Sequence, residues 1–160
     1  MSDTNNQERF LSLFKYEIGN RRGALRYMQM ASELRKSKAD GQFWEQFLRL
    51  EELSHSKYQP VVEKHGLSME LALVYRIIMP VFMVLHRFFP RYTLNYMSDA
   101  TNKYIPQLEE LEQLAPSEEA DYFRYVVLQE QAQAEGMMIL RRGNPQEAAD
   151  YLKAFIDSQQ

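Results

Sequence analysis

The chain has 160 residues and no cysteine, and its 19 basic and 22 acidic residues give a formal charge of −3. This length can bury a core without disulfide or metal staples, so we expect one domain over residues 1–160. The composition excludes disulfide frameworks and thiolate chemistry, and without a long basic run nucleic acid is not an expected partner. The polar start, MSDTNNQERF, lacks the pattern of a targeting peptide, so a cytoplasmic location is expected.

Two long helices are predicted in the first half of the chain. Apolar residues at helical spacing indicate a first helix over about residues 7–36, ended by the segment SKADG. A second helix is expected to begin near Asp40, a suitable N-cap residue, and to stop at Gly66, a suitable residue just after a helix C-terminus.

The longest apolar stretch, residues 71–89, belongs to a third helical segment. Its uncharged run covers only residues 77–85, which is too short for the roughly 20 apolar residues of a membrane span. Proline disrupts a helix, so we expect two or three pieces, divided near Pro90 and, in the three-piece alternative, near Pro106.

This third segment is apolar on all sides, which indicates burial, a subunit contact or a membrane surface. Its apolar residues exceed what one antiparallel partner can cover, so we expect a homodimer through this region, with peripheral membrane contact as the alternative. The residues concerned are Val74, Ile77, Val81, Met83, Leu85 and Phe88.

The last quarter of the chain predicts a fourth long helix and a short fifth. Ser117 can cap the fourth, which should run to about Arg142. Asn144, Pro145 and Glu147 form a start signal for the fifth. No stretch alternates as a strand does, so the predicted class is all-α, favouring a four-helix bundle.

Three of these helices direct polar residues toward their apolar faces. Glu17 lies near the centre of the apolar face of the first helix, and Glu130 and Gln133 lie within that of the fourth. In the second helix Glu51 lies near the middle of the face, His55 inside it and Glu52 at its edge. A buried ionised carboxylate needs a partner, and Glu17 could pair with Arg21, or Glu51 with His55, one turn away.

Together the same residues suggest a second explanation. A Glu on one helix, Glu-x-x-His on the next, and a further Glu followed three residues later by a polar residue form the arrangement by which four-helix bundles hold two iron or manganese ions. Anionic oxygens reduce the repulsion between two hard cations, while imidazole is a neutral terminal ligand.

With these residues the chain resembles the ferritin-like superfamily, most closely the diiron-carboxylate branch that includes demethoxyubiquinone hydroxylase and the bacterioferritins. The resemblance covers about residues 10–140 and implies a bundle with a long crossover. It rests on Glu17, on ELSH from Glu52 to His55, and on EQAQ from Glu130 to Gln133, where Gln133 stands in place of a second His. The apolar segment resembles the part with which that family approaches membranes and a quinone-like substrate.

The resemblance implies iron or manganese ligands at Glu17, Glu52, His55, Glu130 and Gln133, with Asp99 as the nearest acid to the absent third-helix Glu. It implies an oxidoreductase or monooxygenase that uses dioxygen or peroxide. The alternative is a ferritin-like interaction protein that is metal-free or holds a single metal, and a heme-oxygenase-like bundle is a further topology. For Glu52 to coordinate rather than Glu51, the second helix must rotate so that Leu48 and Glu52 face inward.

Overall fold

The computed structural model describes residues 2–68, 70 and 73–160, with side chains from residue 5 onward. The described residues contain no strand, so the predicted all-α class is confirmed. A single 3-10 turn, Ser117–Glu119, precedes the fifth helix. The helices are α1 Ser2–Arg35, α2 Gly41–Lys64, α3 Leu73–Phe88, α4 Pro90–Leu114, α5 Ala120–Arg141 and α6 Pro145–Ser158.

Most helix ends follow the sequence signals, although Glu119 rather than the predicted Ser117 occupies the N-cap position of α5. Three prolines lie inside helices without ending them, one of them Pro60 in α2. Asp40 and Asn144 occupy the N-cap positions of α2 and α6, and Pro90 begins α4. Pro80 lies inside α3 and Pro106 inside α4. Both prolines are exposed, so water can bond to the carbonyls that they leave without an amide partner.

Four of the helices pack around a common interior, in which α1 contacts α2 and α4, while α5 contacts α2 and α4 on the other side. Two ion pairs at the surface show how these helices run relative to one another. Arg9 at the start of α1 meets Glu110 at the end of α4, and Asp99 near the start of α4 meets Arg141 at the end of α5. The contacting pairs among these four helices are therefore antiparallel, and the diagonal pairs, α1 with α5 and α2 with α4, run parallel. The connection from α2 to α4 through α3 runs back along the length of the helices.

The interior contains two apolar clusters, one toward each end of these helices. One cluster is centred on Trp44, Phe47 and Met137 and includes the inner face of α6. The other is centred on Phe14, Phe123 and Leu108. Buried polar residues of α1, α2 and α5, together with a partly buried tyrosine of α4, form the candidate site between the two clusters.

One face of α3 has no covering element in the structure. Val74, Ile77, Val81 and Phe88 are more than half exposed, whereas His86 on the opposite side is fully buried. The first two residues of the apolar stretch, 71 and 72, lie outside the described residues. Among the helices described, none is long and apolar enough to cross a membrane.

Candidate functional site

Arg21 is the centre of a buried cluster of charges from three helices. Its guanidinium Nε lies 2.9 Å from Oε1 of Glu17, one turn earlier on α1. Its Nη1 donates to Oε1 of Glu51 on α2 at 3.1 Å, and its Nη2 donates to Oε2 of Glu130 on α5. All four side chains are buried, so the three carboxylates contact the same guanidinium in place of water.

Two neutral side chains extend this cluster. The amide Nε2 of Gln133 donates to Oε1 of Glu51 at 2.5 Å, and the Tyr104 hydroxyl of α4 donates to Oε2 of Glu17 at 2.6 Å. Oε2 of Glu51 is buried without a hydrogen-bond partner. The Glu17–Arg21 pair is close in distance but does not have the angle of a hydrogen bond, which also leaves Oε1 of Glu17 without a hydrogen bond.

The cluster holds three carboxyl groups but one guanidinium, so it would carry a net charge of −2 with all groups ionised. Burial raises the pKa of Glu17 to about 7, since the attraction of Arg21 does not offset desolvation and the repulsion of Glu130. Burial likewise raises the pKa of Glu51, against the attraction of Arg21. Desolvation of Arg21 is outweighed by its three carboxylates, so its pKa is raised and it stays charged. The cluster therefore favours the uptake of a proton or of a further cation.

Of the six ligands predicted from the sequence, the structure brings three together: Glu17, Glu130 and Gln133. The expected rotation of α2 does not occur, because Glu51 is buried and Glu52 is exposed. Glu51 holds the inward position because it shares the face of Phe47 and Leu50, which fill the apolar cluster beside it.

The other two predicted ligands make separate contacts. His55 is partly exposed and bonds through Nδ1 to the Tyr58 hydroxyl at 2.9 Å. Desolvation, followed by the nearby charge of Arg22, lowers the pKa of His55. Asp99 is exposed and pairs with Arg141 at 3.0 Å. Neither side chain takes part in the Arg21 cluster.

The sequence predicted the Glu17–Arg21 pair, but it did not predict that Arg21 lies at the centre of the cluster or that Tyr104 donates a hydrogen bond to Glu17. The i,i+4 spacing of Glu17 and Arg21 is the only local signal, and it does not reveal which other helices supply carboxylates. Tyr104 lies on α4, where the one ligand predicted from the sequence was Asp99, the nearest acid to the absent third-helix Glu.

The arrangement can be tested for its fit to two metal ions. Glu17, Glu51 and Glu130 offer oxygens of the type that iron and manganese bind, but the Arg21 cation lies among them. Within the described ranges, no group of three or more acidic or histidine side chains is arranged to hold a metal ion. The residues as arranged do not fit two metal ions bridged by carboxylates, because such a site would require Arg21 to leave the cluster.

The cluster forms one wall of a cavity of about 400 Å³. Arg21, Glu51, Glu130 and Gln133 line its inner side, and the exposed Lys103 lies at its edge. A second cavity of about 350 Å³, between α1, α3 and α4, is almost entirely apolar. The two cavities adjoin, because they share four of their lining residues: Ala24, Met28, Tyr75 and Met97.

Comparisons with protein-family models, with curated proteins and with solved structures find no significant match to this chain.

Proposed function

We propose that the chain is a ferritin-like four-helix bundle, without metal ions, that binds a small organic molecule in the cavity beside Arg21. The fold part of the proposal is supported by the directions of α1, α2, α4 and α5. Two antiparallel pairs are joined by a connection that returns along the length of the helices, as the long crossover of such bundles does. That connection favours the ferritin-like topology over the heme-oxygenase-like alternative.

The observation that carries the proposal is the position of the Arg21 guanidinium among Glu17, Glu51 and Glu130. A bound arginine supplies fixed positive charge where a di-metal site would have its ions, but it has no redox chemistry and no open coordination position. The same carboxylates that could hold metals are thereby used to fix Arg21. What remains for a ligand is a cavity with a polar wall, formed by Arg21, Glu51, Glu130 and Gln133.

The di-metal oxidoreductase expected from the sequence is the second candidate. It is favoured by the convergence of three glutamates from three helices at one level of the interior. In that case iron or manganese would bind after Arg21 moves out, and the apolar cavity would suit a quinone-like substrate. This candidate requires a different conformation of the cluster.

Metal analysis separates the two candidates. The protein should be produced in medium supplemented with iron and manganese, and its metal content measured by mass spectrometry after gel filtration. We expect no iron or manganese at near-stoichiometric level. Stoichiometric metal that is retained by the wild type and lost in Glu17→Gln would overturn the proposal in favour of the oxidoreductase.

A further inference from the structure

The adjoining cavities differ in polarity, and this difference restricts what can fill both. Glu51 lines the first cavity, and it has one oxygen engaged by Arg21 and Gln133 and the other buried from water without a partner. A buried oxygen of this kind costs free energy until a donor reaches it. The second cavity offers Tyr27, Met79 and Phe82 and almost no polar surface.

The charge of the cluster decides which donor is favoured. Three carboxyl groups face one guanidinium, so a cation beside Glu51 would offset the excess negative charge, whereas an anion would add to it. A neutral hydroxyl could donate to a carboxylate but would not offset the charge. Lys103 at the edge is exposed, so water screens its repulsion of an incoming cation.

We propose that the cavity binds an organic primary ammonium ion, with its nitrogen beside the Glu51 carboxylate and its apolar tail in the cavity lined by Tyr27, Met79 and Phe82. This inference rests on the proposed function and adds the chemical class of the ligand. An ammonium group supplies three donors on a compact charge, which suits a narrow polar wall next to an apolar space. Met28 and Met97 line both cavities and lie along the path of the tail.

The binding test compares three probes of equal length at neutral pH by isothermal titration calorimetry: n-hexylammonium, 1-hexanol and hexanoate. We expect saturable one-to-one binding of hexylammonium, at least about tenfold tighter than that of hexanol, with no measurable binding of hexanoate. Glu51→Gln should weaken hexylammonium binding by about tenfold or more and leave hexanol binding nearly unchanged. Glu52→Gln, which removes the exposed neighbouring charge, is the matched control and should change neither.

The position of the probe is tested independently in the wild type by methyl NMR of the methionines. Hexylammonium should shift the signals of Met28, Met79 and Met97 and leave that of Met138, which lines neither cavity, in place. Equal affinity for hexanol and hexylammonium, or shifts confined to other methionines, would overturn the ammonium assignment. If hexanol binds as tightly as hexylammonium, the cavity binds small apolar molecules but does not select an ammonium group. If no probe binds, the proposed binding function is contradicted as well.

Discussion

Arg21 and Glu51 form an ion pair across two helices, with side chains only 6% and 1% exposed. Their separation of 30 residues along the chain makes this contact a product of the fold rather than of local helix spacing. Because Arg21 also contacts Glu17 and Glu130, its loss would leave three carboxyl groups in the interior without a cation.

Replacing Arg21 with Met should therefore destabilise the protein by about 3–5 kcal/mol, the range for removing one partner of a buried ion pair. Urea unfolding measures the change, and Arg26→Met, an exposed position on the same helix, is the control. The loss should be smaller at pH 5 than at pH 8, because protonation removes the charge of the carboxyl groups. A variant within about 1 kcal/mol of the wild type at pH 8 would mean that Arg21 contributes little to stability.

Glu51 and Glu52 should respond differently to truncation, because only Glu51 faces inward. Glu51→Ala removes an ion-pair partner of Arg21 and the hydrogen-bond acceptor of Gln133. We expect a loss of about 2–4 kcal/mol in the free energy of unfolding. Glu52→Ala should stay within about 0.5 kcal/mol of the wild type. A larger loss for Glu52→Ala than for Glu51→Ala would support the α2 rotation inferred from the family resemblance.

The buried His86 should make stability depend on pH. Burial, followed by the charge of Arg35, lowers the pKa of His86 to about 4, and its Nδ1 shares a hydrogen bond with the Tyr27 hydroxyl at 2.6 Å. The unfolded chain takes up this proton near pH 6.5 and the folded protein only near pH 4. The contribution of neutral His86 is thus present above pH 6.5 and is lost as the pH falls toward 4, by at most about 3 kcal/mol.

The control for this prediction is His86→Gln, which can hydrogen-bond to Tyr27 as donor or acceptor but does not titrate. The difference in unfolding free energy between wild type and His86→Gln should be constant above neutral pH and shift against the wild type between pH 6.5 and 4. A difference that does not change across this interval would show that His86 is protonated in the folded protein as readily as in the unfolded chain.

The exposed apolar face of α3 is the surface through which we predict that the protein forms a homodimer. Light scattering at micromolar concentration should report a dimer. Ile77→Glu should convert it to a monomer, because dimer formation would bury the new charge in an apolar interface. Tyr151→Glu, on the exposed side of α6, is the control. A wild-type monomer that binds anionic vesicles would instead favour membrane contact, since Arg76, Arg87 and Arg91 flank the apolar face without an acid between residues 73 and 98.

The helices could be predicted from the sequence because their signals are local. The N-cap position of Asn144, the break at Pro90 and the apolar spacing of α1 each depend on a few neighbouring residues. The candidate site could be predicted only in part, because Glu17, Glu130 and Gln133 lie on apolar faces whereas the position of Arg21 among three helices depends on tertiary packing. For α2, periodicity favoured Glu51 and the family register favoured Glu52, and the packing of Phe47 and Leu50 placed Glu51 inside.

The charged layer between the two apolar clusters has a consequence for helix alignment. Apolar side chains tolerate many neighbours, so two apolar helices can slide by one turn, about 5.4 Å, and still bury similar area. Here such a slide of α2 along α1 would move Glu51 away from Arg21, toward Glu17 in one direction and toward apolar side chains in the other. The hydrogen bonds from Arg21 and Gln133 to Glu51 thus penalise every shifted alignment, so that the ion cluster specifies one register among helices whose remaining contacts are largely interchangeable.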